Sequence, residues 1–198
     1  MRPRPYLSPS QLIMLETSEA TYIKNYIKGN RMRSNKGQEL GSQIADCLDT
    51  GEMTGDPIKD LLISKMPKFE NTEVELLSVL KIDGMKIPLL GRMDTATRSL
   101  KGFKDHKTGQ KAWTQKQVDN NSQLTFYATQ IRLLKGFIPE DIELVYAPTK
   151  KNADGILEPT GEVIVFKTTR SLVDILKMQN RMKKAWIRIG ELSDQYLL

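Results

Sequence analysis

Apolar positions along the chain repeat first with helical spacing, then with strand spacing, then alternate between the two. Over residues 10–28, Leu12, Leu15, Tyr22, Ile23, Tyr26 and Ile27 mark one helix face. Ser8-Pro9 supplies an N-cap followed by proline in the first turn, and Gly29 ends the run. The spacing predicts a second helix over 37–49, with Leu40, Ile44 and Leu48 inward. A third runs from Asp56-Pro57 to about Met66, with Leu61, Leu62 and Met66 inward, and Pro67 breaks it. Residues 72–81 alternate instead, with Val74 and Leu76 apolar between Glu73 and Glu75, and Asp83-Gly84 turns the chain into a strand over 86–93. A turn at 98–102 leads to a third strand, 103–107. A long helix over 114–135 carries Val118, Leu124, Ala128, Ile131 and Leu134 on its stripe and ends at Gly136. Strands follow at 142–147 and 161–167, the second apolar on both sides and so predicted to be buried on both or to lie at a crossing. Between them lies a polar stretch turning at Asn152-Ala153-Asp154-Gly155. A helix over 172–192, capped by Ser171 with Asp174, turns Ile175, Met178, Met182, Trp186 and Ile189 inward. This order predicts an α/β (α+β) fold, a mixed central sheet flanked by helices, in one domain spanning 1–198.

The chemistry gathers between Leu90 and Tyr127. Asp94 stands where the apolar run Ile87, Leu89, Leu90 stops. A carboxylate there is poorly solvated and calls for a partner such as a metal ion. Asp105 and Lys107 are two apart on the next strand, so both face one side and His106 faces the other. Two carboxylates on adjacent strands can hold a hard divalent cation, and a lysine beside them can orient a water or balance charge on a phosphate. Gln123 and Tyr127 are i and i+4 on the long helix and share a face. Taken singly, each of these motifs is most often a surface ion pair or a packing residue. Tyr22 and Tyr26 read as core rather than as base-stacking residues. Glu73 or Glu75 could reach the site from the first strand, although such glutamates usually face solvent.

As a set, Gly91-x-x-Asp94, Asp105-His106-Lys107-Thr108-Gly109 and Gln123-x-x-x-Tyr127 resemble the PD-(D/E)XK nuclease superfamily, in its RecB-like branch, across roughly residues 7–135. The resemblance implies a restriction-endonuclease-like core and a metal-dependent deoxyribonuclease, in the manner of stand-alone phage exonucleases. It implies Mg²⁺ or Mn²⁺ held by Asp94, Asp105 and the backbone carbonyl of His106. Lys107 would serve the attacking water, and Gln123 and Tyr127 would position the site or the DNA backbone. The branch usually carries a further histidine ligand on an upstream Gly-x-x-x-His helix. Here the matching stretch begins at Gly41 and places Ala45 at that position; Glu39, Gln43 and Asp46 are the polar residues of the same helix that could compensate, Glu39 foremost for the metal. The missing histidine keeps a second reading open, a nuclease-fold protein that binds DNA without cutting it. The resemblance also allows a subunit working with a helicase, recombinase or single-strand-binding protein in phage or mobile-element recombination.

Composition narrows the field modestly. Thirty basic against 24 acidic residues give a net charge of +6, which fits a polyanionic partner without requiring one. Arg31, Arg33 and Lys36 form a short basic loop before the second helix, and Lys111 follows the third strand; these are the candidate DNA contacts. Arg181, Lys183, Lys184 and Arg188 form a basic face on the last helix. The single cysteine, Cys47, excludes an internal disulfide and a cysteine-ligated iron–sulfur cluster. No apolar run is long enough to span a membrane and no apolar segment follows the basic N-terminus, so the expected location is the cytoplasm of a bacterial or phage-infected cell.

Overall fold

In the computed structural model, residues 3–30 and 36–196 are described, the side chains of 36–38 excepted. Arg31, Arg33 and the Lys36 side chain lie outside the described residues. The chain folds as α1 (Pro9–Thr17), α2 (Glu19–Tyr22) running on as a π-helical turn (Ile23–Ile27), α3 (Lys36–Thr50), α4 (Pro57–Lys65), β1 (Asn71–Ile82), β2 (Met85–Ala96), β3 (Gly102–Gly109), α5 (Gln115–Asp119), α6 (Ser122–Lys135), β4 (Asp141–Lys151), β5 (Leu157–Pro159), β6 (Ile164–Thr168) and α7 (Leu172–Tyr196). The six strands form a mixed sheet. β1, β2 and β3 run antiparallel in turn, β4 lies parallel to β3, and β5 and β6 both pair with β4.

Two expected helices are each divided, for the same reason. Ser18 takes an extended conformation and its hydroxyl caps the next helix at the Thr21 N–H, separating α1 from α2. Asn121 does the same at the Leu124 N–H, separating α5 from α6. The second break is fastened by Arg170, 6% exposed, whose guanidinium donates to Thr125 Oγ1, the Val118 carbonyl and Thr168 Oγ1. The first turn of α6, which carries Gln123, is therefore tied to the end of β6.

The larger core lies between the sheet and α1, α6 and α7, centred on Leu12, Tyr22, Met93, Phe103, Phe126, Leu144 and Met182. A smaller one lies under α3 and α4, with Leu40, Ile44, Leu48, Leu62 and Met66 against Val145 and Ala147. β4 is buried on both faces because both cores meet on it. Three apolar expectations differ. Leu61 and Leu134 are exposed rather than inward, each lying beside the buried stripe of its helix. β6 is not buried on both faces; it lies at the sheet edge, with Ile164 and Val165 exposed. The basic face of α7 is largely spent inside the molecule. Arg181 pairs with Glu16, Arg188 with Glu19 and Glu191, and Lys183 with Asp83, so these charges dock α7 on the N-terminal helices and the β1–β2 turn.

Candidate active site

β2 and β3 are 12 and 8 residues long, yet they pair only at Thr95↔Lys104 and Ala96↔Phe103. Beyond those pairs they diverge, and the backbone groups that face the gap need other partners. The N-terminal arm supplies some: Leu7 N–H donates to the Pro88 carbonyl and the Leu90 N–H donates to the Leu7 carbonyl. The Tyr127 hydroxyl donates to the Arg92 carbonyl, and the Asp94 carboxylate accepts from the His106 N–H. The candidate site is this gap, and its side chains stitch it together.

Asp105 is 1% exposed. Lys107 Nζ forms an ion pair with Asp105 Oδ2 at 2.8 Å, and among the described residues neither carboxylate oxygen accepts from any other group. Asp94 stands close by. Burial, then the charge of Asp105, push its carboxyl up to about 7. Burial acts to lower the Lys107 ammonium, but the Asp105 carboxylate outweighs it and the net shift is upward. Lys107 Nζ also donates to Gln123 Oε1 at 3.0 Å, Gln123 Nε2 donates to the Tyr127 hydroxyl at 2.8 Å, and that hydroxyl ends on the Arg92 carbonyl. Lys107 is thus held from both sides, by charge from Asp105 and by a relay anchored in β2. Burial, then the charge of Asp105, raise the Tyr127 hydroxyl, so it stays protonated as the donor this relay needs.

His106 turns to the other face, as strand alternation requires. Its Nε2 donates to the Pro67 carbonyl at 3.1 Å, and burial lowers its pKa. The motif glycine has a steric reason. A Cβ on Gly91 would lie 2.1 Å from Gln130 Oε1 and 3.0 Å from Tyr127 Cε1, so only glycine lets α6 cross β2 this closely. On the α3 side, a Cβ on Gly41 would lie 3.2 Å from Thr108 Oγ1, which sets α3 against β3. Ala45, one turn on, lines a cavity of about 20 Å³ with Asp94, His106, Asp49 and Glu73.

The donor chemistry suits a cation. With both buried carboxylates ionised, a single ammonium leaves the site one negative charge in excess; a cation would offset it, and without one the strain falls on Asp94, whose carboxyl is pushed up. Asp94, Asp105 and the His106 carbonyl are the groups that would hold it. Among the described residues, no three His, Cys, Asp or Glu side chains are placed to share an ion, and Glu39 is not drawn into such a set. Glu39 and Lys111 are both exposed.

Sequence reasoning missed a second element of the site. Arg4, Tyr6, Ser8, Ser10 and Tyr26 line a cavity of about 280 Å³ whose other wall is Arg92, Gln123 and Tyr127. The Arg4 guanidinium lies 5.7 Å from the ring centres of both Tyr6 and Tyr26. Tyr22 is fully buried as expected, but Tyr26, stacked on it at 5.0 Å, is only partly so and presents its ring to this cavity. Tyr6 is close to Arg4 in the sequence but Tyr26 is not, and their convergence on Gln123 depends on the docking of Leu7 against β2.

No family model matches the sequence, and no curated relative matches it. Solved structures do resemble the fold. One is a protein from Eubacterium rectale assigned as an exonuclease, with a TM-score of 0.59 and 12% identity, covering 97% of this chain and 82% of that one. Another is a phage related exonuclease from Haemophilus somnus 129PT, with a TM-score of 0.50 and 11% identity, covering 94% and 82%. At these identities the likeness is one of fold: a mixed six-stranded sheet between helices. None of the described helices is long and apolar enough to cross a membrane.

Proposed function

We propose that this chain is a Mg²⁺- or Mn²⁺-dependent deoxyribonuclease of the PD-(D/E)XK superfamily, RecB-like branch, acting as an exonuclease on DNA. The observation that carries the reading is the buried Asp105 carboxylate, paired with the Lys107 ammonium, beside Asp94 and joined through Lys107 to the Gln123–Tyr127 relay. The exonuclease names of the fold's relatives agree with it.

Asp94 and Asp105 with the His106 carbonyl hold the cation. When bound, it neutralises charge on the phosphate and makes water more acidic. Lys107 is protonated under the influence of Asp105 and therefore acts as a fixed cation and hydrogen-bond donor, aligning the water and countering charge that builds on phosphate oxygens. Gln123 keeps the ammonium from swinging away, and Tyr127 fixes Gln123. Arg4, on the wall of the adjoining cavity, is the cation placed to meet the DNA backbone. The test is cleavage of linear duplex, plasmid and single-stranded DNA with and without a chelator. Lys107→Ala should lose most activity; Lys107→Ala cutting at the wild-type rate would show the site is misassigned.

Ala45 in place of the expected histidine favours one second reading, a nuclease-fold protein that binds DNA without cutting, alone or as a subunit beside a helicase, recombinase or single-strand-binding protein. It predicts salt-dependent DNA binding that survives loss of both aspartates, with no metal-dependent cutting.

A further inference from the structure

Hard divalent cations take six or more oxygen ligands, and ligand number and charge set their affinity. The site supplies two carboxylates and a carbonyl, and Ala45 has no donor to add. Two carboxylates that the proposed function does not use share the small cavity with Ala45 and Asp94: Asp49 and Glu73. Asp49 is engaged, since the Thr72 hydroxyl donates to it. Glu73 is placed differently. The β1–β2 register pairs Thr72 with Thr95 and Val74 with Met93, which leaves Glu73 across from Asp94 without entering the ladder. Its φ is +45°, a left-handed conformation near the start of β1 that L residues adopt at a cost. Glu75, two residues on, is neutralised by Arg92, whereas no lysine or arginine among the described residues pairs with Glu73.

We propose that Glu73 is the third carboxylate ligand of the cation held by Asp94 and the buried Asp105, supplied from β1 where the family pattern expects a histidine from α3. The proposal rests on the metal-site reading above. Glu73 is exposed, so its side chain can turn inward about χ1 and χ2 without displacing packed neighbours, and the set of three closes when an ion arrives.

The experiment is a titration of the full chain with Mn²⁺ alone, following the free-ion electron paramagnetic resonance signal, in wild type, Asp105→Asn, Glu73→Gln and Glu39→Gln. Glu73→Gln should weaken Mn²⁺ binding by about tenfold or more, with its melting temperature unchanged because the residue is exposed. Glu39→Gln should bind like wild type, and adding Ala45→His to Glu73→Gln should recover affinity. Wild-type affinity in Glu73→Gln, with binding still lost in Asp105→Asn, overturns the role of Glu73 and leaves the metal site standing. A loss in Glu39→Gln with none in Glu73→Gln gives the place to α3 and likewise overturns it. No Mn²⁺ uptake by wild type overturns the proposal together with the reading beneath it.

Discussion

Gly91→Ala tests why the G-x-x-D motif begins with glycine. The added methyl carbon would sit 2.1 Å from Gln130 Oε1 and 3.0–3.1 Å from the Tyr127 ring. Gln130 is fully buried, and its Nε2 donates to the Leu76 carbonyl at 3.0 Å and to Ser78 Oγ at 3.3 Å, so it cannot step aside freely. Overpacking of this kind costs roughly 1–3 kcal/mol. Displacing Gln130 also forfeits two hydrogen bonds worth about 1 kcal/mol each. Together these effects predict a loss of roughly 3–5 kcal/mol, read as a lower urea midpoint at unchanged slope. For a chain of this length that corresponds to a fall in melting temperature of roughly 6–20 °C. Activity should fall further than stability accounts for, since moving Tyr127 releases Gln123 and then Lys107; an ångström of misplacement can cost about 100-fold. Gln130→Ala should make room, so the double variant should be less destabilised than the sum of the singles. A Gly91→Ala protein within about 0.5 kcal/mol of wild type and cutting normally would refute the steric account.

Glu143 and Lys104 form a buried pair, with Lys167 on the other carboxylate oxygen. Burial opposes the charged form of Glu143, but the two lysines outweigh it and hold its pKa below the usual 4.5. An acid lowered in the folded state stabilises above its unfolded pKa and loses that contribution as pH falls toward the folded value. Stability should therefore decline below about pH 4.5, the unshifted value. Glu143→Gln should remove that part of the acid dependence and cost about 3 kcal/mol at neutral pH by stranding Lys104, measured by denaturation across pH. Glu73→Gly should relieve the left-handed strain and raise stability by roughly 0.5–1 kcal/mol, net of glycine's entropy, while weakening Mn²⁺ binding; a fall in stability in thermal melts would show that the conformation is not strained.

The fold class and the local groupings of candidate site residues were legible in the sequence; the way distant elements meet was not. Strand alternation places Asp105 and Lys107 on one face, and helix spacing places Gln123 with Tyr127; both are local rules. The meeting of these groups depends on β2 and β3 diverging after two pairs, and no local pattern encodes that. The helix breaks at Ser18 and Asn121 were hidden because each residue is equally compatible with a helix surface until its side chain caps the next segment. β6 shows the limit of hydrophobicity: Ile164 and Val165 look like core, but they open a short strand at the sheet edge, where both remain exposed although they point to opposite faces. The basic stripe on α7 looks like a DNA-facing surface until its acidic partners on distant elements are known. Arg4 and Tyr26 went unrecognised for the same reason, since their cavity exists only once the N-terminal arm lies beside β2.

The central claim is that Asp94 and Asp105 hold a divalent cation used to cut DNA. Its most direct test is a calorimetric Mn²⁺ titration of wild type and Asp105→Asn, with DNA cleavage measured on the same samples. Saturable binding and cutting in wild type, both lost in folded Asp105→Asn, is the predicted result. A folded wild-type protein that neither binds Mn²⁺ nor cuts DNA would contradict it.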